Sequence, residues 1–519
     1  MHIVMIAAEN GVLKGAKVGG IADVIRDVPR ALAQRGHQVT VLTPGYQALS
    51  RLPGAHRLHT LTVNFGNRLE TLELFRIDTP DEPADIRHFV LEHPLFGACG
   101  AGRVYCHDAD EPFATDASKF ALFCHGVCCS LVTNAFGEFD ALHLHDWHAA
   151  LVLLLRENFR PYQALQQFPA VYTVHNLQLQ GVRPFAGNLS SPAHWFWGMK
   201  YARAPVVDPR YPDCINLMRT GINLADKVHV VSPTYAQEIL QPSNPQLGLI
   251  RGEGLEADLR RIDKENKLFG ILNGCDYHNF KASDKKPDKK QFIAVATAAL
   301  EQWLRGRDQI DVTHFHALQR LMNWAQRKQK DQIVVGSVGR LTPQKVSLLQ
   351  VETALGVYAI DGLMQRLHDK GYLIVVGSGD PVCEKFLRDA MLRHDNLLFL
   401  CGYSEDLGDL LYRFCDLFLM PSTFEPCGIS QMLAMRAGTP PLVHKVGGLA
   451  DTVQHMANGF TFDGANSHEQ VQNMLQVFED VIQLKNDKVP VWQAICRNAA
   501  AAHFSWDLTV QEYEKNLYN

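Results

Sequence analysis

Residues 416–451 constrain this chain more than any other stretch. An apolar run at 416–420 precedes Pro421-Ser422-Thr423-Phe424-Glu425-Pro426-Cys427-Gly428, and a helical pattern then runs to Gly438. A run so short and unbroken reads as a buried parallel strand, ended by the proline and glycine that follow. Glu425 therefore stands at a strand's carboxyl end, the edge where open α/β sheets bind ligands. A second apolar run, 441–444, feeds Gly447-Gly448 and another helix. Main-chain N–H groups at such a helix start can face an anion. One carboxylate and one anion cradle thus lie close together in sequence.

Length sets the scale around that domain. At 519 residues the chain exceeds what one hydrophobic core ordinarily supports, so two domains are expected. The formal net charge is only -5, which leaves no broad basic footprint for nucleic acid or an anionic membrane. Met1-His2-Ile3-Val4-Met5-Ile6 starts as a strand without a basic lead-in, and no apolar run is long enough to span a bilayer. A cytoplasmic location is the expectation. The 12 cysteines are scattered, with no Cys-x-x-Cys pair, and read as reduced core thiols; Cys124, Cys128 and Cys129 fall in an apolar helical pattern.

From the start, a strand at 2–7, a loop, Lys17-Val18-Gly19-Gly20 and a helix at 21–35 closed by Gly36 lead to a strand at 38–42, a βαβ unit. The glycine pair is not a dinucleotide fingerprint, and alone it serves a structural turn as readily as a phosphate. Lys17 adds a cation beside it. Segments 71–77 and 86–91 alternate like paired strands, and 117–136 is apolar nearly all round, so His125 reads as a packed core histidine. His143-Leu144-His145-Asp146-Trp147-His148 has the composition of a metal site. Its spacing argues otherwise: His143 and His145 share one face of a strand, the rest lie beyond it, and no second ligand cluster closes the set. His175 follows a strand at 170–174, and Asn273 and Asp276 suit turn caps as well as a ligand edge. Residues 281–290 form a lysine-rich polar linker, and 292–327 reads as helical. Beyond a strand at 333–338, Arg340 and Lys345 can converge on one diphosphate. A strand at 373–376 leads to Gly377-Ser378-Gly379-Asp380-Pro381, and Cys401-Gly402-Tyr403 follows another.

Several of these strings match one family in order. Residues 420–451 resemble the sugar-nucleotide signature of the retaining GT-B glycosyltransferases, and F-E-P-C-G followed by G-G-L-A-D-T-V resembles bacterial glycogen synthases and plant starch synthases in particular. K-V-G-G-I-A-D-V is similar to the family's K-T-G-G-L-x-D-V, H-x-H-D-W-H to its active-site loop, and the His175 segment to T-x-H-N-L-x-x-Q-G. G-R-L-T-P-Q-K resembles G-R-L-T-x-Q-K-G with Val346 for the last glycine, a change expected to stiffen the loop. Residues 9–16 depart from the family's proline-containing loop, the expected W-N-P is missing, and the helical stretch that follows is unusually long.

The resemblance implies an α/β, GT-B fold: two Rossmann-like parallel-sheet domains, 1–270 and 271–500, facing a deep cleft, with a helix at 501–519 crossing back to the first. It implies donor contacts for Lys17, Gly19, Gly20, Asp23, Asn273, Gly379, Tyr403, Cys427, Gly428, Gly447 and Gly448, with Tyr403 near the adenine ring. It places Asp146 and Trp147 on the acceptor side and gives His175, Arg340, Lys345 and Glu425 catalytic roles. No metal or other cofactor is expected, and the partners implied are ADP-glucose and an α-1,4-glucan such as glycogen. Double displacement needs two flanking carboxylates. Glu425 stands alone, with Leu433 where many other GT-B enzymes carry an acid, so same-face attack is expected, Glu425 holding the glucose hydroxyls. Three readings stand: a glycogen synthase using ADP-glucose; a related retaining glucosyltransferase with UDP-glucose or another acceptor; and a non-catalytic glucan-binding protein. Oligomeric state carries no signal in the sequence.

Overall fold

The computed structural model describes residues 1–277, 286–305, 312–326 and 332–519. They form two compact units, one of residues 1–243, 251–274 and 506–519, the other of 244–250 and 275–505. The lysine-rich stretch 281–285 and parts of the expected helix, 306–311 and 327, lie outside the described residues.

The first unit is built on a nine-stranded sheet. Its strands are β1 (His2–Ile6), β2 (Gln38–Pro44), β3 (Ala55–Phe65), β4 (Arg68–Ile77), β5 (Ile86–Glu92), β6 (Ala141–His145), β7 (Ala170–Val174), β8 (Lys227–Val230) and β9 (Leu268–Gly270). They run in the order β9-β8-β7-β6-β1-β2-β5-β4-β3. All pairs from β9 to β5 are parallel, and β3 and β4 add an antiparallel edge. Strands such as β1 and β6 are buried along their whole length, as a sheet covered on both faces requires. Strand order reverses between β1 and β6, so the loops after them flank a switch point. Helix α1 (Gly20–Gln34) follows the first loop and ends before Gly36, whose φ of 86° suits glycine. Helix α2 (Ala114–Val132) is buried nearly all round, and His125 lies among the rings of Phe159, Tyr162 and Phe196.

The second unit carries β10 (Ile333–Val338), β11 (Gly371–Gly377), β12 (Leu397–Cys401), β13 (Leu417–Met420), β14 (Pro441–His444) and β15 (Phe460–Phe462). The order β12-β11-β10-β13-β14-β15, all parallel, is the doubly wound arrangement, with its switch point between β10 and β13. Helices α3 (Lys289–Leu304) and α4 (Val312–Gln326) precede the sheet. Helix α5 (Pro343–Gln350) follows β10, α6 (Ser430–Arg436) follows β13, and α7 (Gly447–Thr452) follows β14. The last helix, α8 (Trp506–Tyr513), belongs to the first unit: Trp506 Nε1 donates to Asp27 at 3.0 Å, and Tyr518 beyond it meets His143 Nδ1 at 2.6 Å.

Two expectations need correction. Cys99 and Cys106 are bonded as a disulfide, so the cysteines are not uniformly reduced; these two sit in a loop that doubles back on itself, with Cα atoms 5.6 Å apart. The core thiols Cys124 and Cys128 remain free and buried. Val346 does not stiffen a loop, because it lies inside α5 with its side chain in the core. No helix among the described residues is long and apolar enough to cross a membrane.

Candidate active site

In the first unit the loops after β1, β6 and β7 hold the expected residues. The β1 loop returns on itself so that Glu9, 2% exposed, accepts the backbone N–H groups of Val18 and Gly19 at the start of α1. Tyr105 donates its hydroxyl to the other oxygen of Glu9 at 2.8 Å. The start of α1 is thus organised by a carboxylate from the same chain. Lys17 Nζ pairs with Asp23 at 2.7 Å, and Arg26 approaches Asp23 at 3.2 Å.

Asp146 follows β6 at a φ of 55° and accepts the backbone N–H of His175 at 2.7 Å, so two sequence-distant candidates are in contact. Burial pushes its carboxyl up to about 7, against the lowering effect of the His175 and Asn176 N–H groups, and the charge of Glu9 raises it further. The His175 ring faces His145, with Nε2 and Nδ1 3.0 Å apart and one proton between them. Burial holds His175 down to about 3 and His145 well below the usual imidazole range, so both are neutral near pH 7. Behind them His143 meets Thr173, which meets His229 at 2.9 Å. These histidines are core partners, and no group of three His, Cys, Asp or Glu among the described residues is placed to hold a metal.

Trp147 follows Asp146 in the same helical turn. It is 3% exposed, boxed by Phe113 and Phe120, and a Cβ at Gly181 would stand 2.3 Å from its ring. Asn273 lies beyond β9 with its main chain joined to Val231 and its side chain buried.

The second unit gathers its candidates around the switch point. Glu425, 7% exposed, accepts from Lys345 Nζ and from the Ser422 hydroxyl at 2.9 Å. Gln344 ties α5 to this loop: its side-chain amide donates to Phe424 O and its carbonyl accepts from Thr423 N, both at 2.9 Å. Arg340 is exposed at the rim of a pocket that Gly339, Lys345, Pro421 and Ser422 also line. Among the described residues it has no carboxylate partner. A cation held by Glu425 and another facing solvent suit a ligand carrying both hydroxyls and an anion.

The glycines serve close approach. A Cβ at Gly447 would stand 1.9 Å from Glu425 O, and one at Gly448 2.3 Å from Cys427 O. Gly448 N donates to Glu425 O at 3.1 Å, so one N–H of the expected anion cradle supports the Glu425 loop. Gly428 takes a φ of 75°, and Gln431 Nε2 holds the Gly428 and Cys427 carbonyls. Gly379 packs on Leu341, joining the loop after β11 to the Arg340 loop. Tyr403 is on the loop after β12, with 63% of its surface exposed. Sequence reasoning missed Glu9, His145 and Ser422 as organisers. Only Ser422, three residues from Glu425, lay where local spacing pointed to it.

Two doubly wound units, each with polar loops at the carboxyl edge of its sheet, define a GT-B glycosyltransferase. Residues 2–261 match the starch synthase catalytic domain family, and residues 319–488 match glycosyl transferases group 1. The chain is 32% identical to a glycogen synthase of Gloeobacter violaceus over 524 residues, covering 99% of this chain and 97% of that one. It is 33% identical to one of Anaeromyxobacter sp., covering 99% and 98%. The catalytic domain of starch synthase IV from Arabidopsis thaliana, solved bound to ADP and acarbose, superposes with a TM-score of 0.76 at 25% identity, covering 100% and 98%. The chain belongs to the glycogen synthase and starch synthase family of glycosyltransferases.

Proposed function

We propose that this chain transfers glucose from ADP-glucose to the non-reducing end of an α-1,4-glucan with retention of configuration. The observation that carries the reading is the Lys345–Glu425–Ser422 cluster beside exposed Arg340 at the switch point of the second sheet. The ADP-bound starch synthase relative supports the choice of donor base. In this reading Arg340 and Lys345 take the growing charge of the leaving diphosphate, which deprotonates the acceptor hydroxyl on the same face. Such preorganised charges are each worth roughly 10²- to 10³-fold in rate. Glu425 holds glucose hydroxyls and does not attack, since the position of a second acid is Leu433, half-buried against the core.

On the first unit, Lys17, Gly19, Gly20 and Asp23 are assigned to the donor, as are Asn273 and the His175 ring. The neutral state of His175 suits hydrogen bonding to a sugar. Asp146 and Trp147 are assigned to the acceptor side. The second unit adds Gly379, Tyr403, Cys427, Gly428, Gly447 and Gly448 to the donor set. Charge neutralisation by these cations gives the reaction no need of a metal. A cytoplasmic setting goes with the reading.

The test is incubation of the purified protein with labelled ADP-glucose or UDP-glucose, with and without glycogen, followed by debranching and linkage analysis. Label entering α-1,4 linkages from ADP-glucose is the expected result. Transfer from UDP-glucose alone would overturn the donor. Hydrolysis without glucan growth would overturn the acceptor, and no turnover with either would leave a binding protein. In the same assay Glu425→Gln is expected to lose on the order of 10²-fold in kcat, and a trapped glycosyl-Glu425 adduct would sink same-face attack.

A further inference from the structure

Helices α3 and α4 have no role in the chemistry above, yet their polar ends converge on one loop. Strand β12 ends at Cys401, and Gly402 and Tyr403 follow at the ligand edge of the sheet. His314 Nε2 on α4 donates to Cys401 O at 2.8 Å, and Trp303 Nε1 on α3 donates to Tyr403 O at 3.0 Å. Between these carbonyls, Gly402 N donates to Gly377 O at 3.2 Å. A Cβ at Gly402 would stand 2.5 Å from the Trp303 ring, so the indole lies directly on the backbone and the glycine makes room for it. Three consecutive residues are thus held from two sides while the Tyr403 ring projects outward.

The anchoring of the helix pair is separate from this reach. Phe292 stacks on Phe414 at 4.7 Å, and Trp324 packs on Tyr372 at 4.8 Å. These apolar contacts fix the helices to the domain. Packing alone needs no N–H on Trp303 or His314. Their two donors instead satisfy carbonyls at the end of a strand, where solvent would otherwise take them.

We propose that α3 and α4 brace the nucleotide-base loop, and that Trp303 and His314 are positioning residues that set how the donor's base is held and told from another base. The proposal rests on the reading of Tyr403 as a base-side residue. A loop fixed before the ligand arrives loses less entropy on binding, and a purine and a pyrimidine differ in how far they reach across the Tyr403 ring. His314 acts through its Nε2–H, so glutamine, which carries an N–H at similar reach, is the conservative replacement. Phenylalanine at 303 keeps a ring on Gly402 and removes the donor.

The test is calorimetric titration of the full chain with ADP and with UDP, together with kcat and KM for the matching glucose donors. Trp303→Phe is expected to weaken ADP about five-fold, the worth of one lost hydrogen bond of ordinary strength, and to narrow the ADP-to-UDP preference with kcat nearly unchanged. His314→Leu follows it, and His314→Gln restores the wild-type preference. Unchanged ADP and UDP affinities in both Trp303→Phe and His314→Leu would overturn the brace. So would equal loss of both nucleotides together with lower kcat and Tm, the mark of a purely structural contact. A wild-type protein that binds neither nucleotide would instead overturn the reading of Tyr403, and the brace with it.

Discussion

Two glycine pairs stand at helix starts in this chain, and they solve different problems. At α1, the N–H groups of Val18 and Gly19 are gathered by Glu9, and a Cβ at Gly20 would meet nothing within 4 Å. At α7, Gly447 and Gly448 are pressed against the backbone of residues 425–427, Gly447 at a φ of 45°. At the first, Gly20 is open and the neighbouring donors are managed by a side chain. The second is closed, its glycines needed so that one loop can lie on another. The same dipeptide therefore marks an electrostatic device in one unit and a steric one in the other.

The steric device is expected to fail first. Gly447→Ala forces a Cβ into the Glu425 carbonyl in a backbone region that alanine avoids. It should lower Tm by several degrees and cost on the order of 10²-fold or more in kcat, since Glu425 moves with its carbonyl. Glucosyl transfer and a thermal melt at wild-type levels would erase the contrast. Gly20→Ala should do the reverse: Tm holds or rises, because alanine favours a helix by up to about 1 kcal/mol. Any loss then appears as a higher KM for the donor, within about ten-fold. A melt lowered as far as that of Gly447→Ala would show the α1 start to be closed as well.

The smallest effect concerns acid and base. Glu9 also raises Asp146, so the first cradle carries a titration signature. A carboxyl held near 7 in the fold, against an ordinary value of 3.8, favours the protonated form. Its stabilising contribution is complete below the ordinary value and is lost as pH rises through about 7. Buried His175 and His229, held down to about 3 and about 4, act oppositely and lose stability as pH falls below 6.5. The difference in Tm between wild type and Asp146→Asn isolates the carboxyl, because asparagine still accepts the His175 N–H. The variant should gain on wild type between pH 5 and 8, and a flat difference would remove Glu9 and Asp146 from the contrast.

What could be read from sequence was local. A short apolar run ended by proline or glycine located β13, β14 and the loop of Glu425, because strand ends are written in neighbouring residues. The Glu9 contact needs a loop to fold back nine residues, and the His145–His175 pair needs the register of β6 and β7, thirty residues apart. Neither leaves a periodic trace. The enclosure of Trp147 is hidden for a related reason: its neighbours Asp146 and His148 are polar, while the rings of Phe113 and Phe120 that bury it come from elsewhere. Strand β3 escaped notice because its first half is exposed and polar on both faces, which weakens alternation.

The placement of α8 has a consequence for biosynthesis. Val510 and Tyr513 are fully buried in the first unit, and Lys227 holds the main-chain oxygen of Asn519. Residues 275–505, which intervene, must leave the ribosome before that core can close. At about 5–20 residues per second the delay is on the order of ten to fifty seconds. During that interval the faces of α1 and β6 that receive Trp506 and Tyr518 are incomplete, so the unit whose synthesis begins first waits for the last-made residues of the chain to close it.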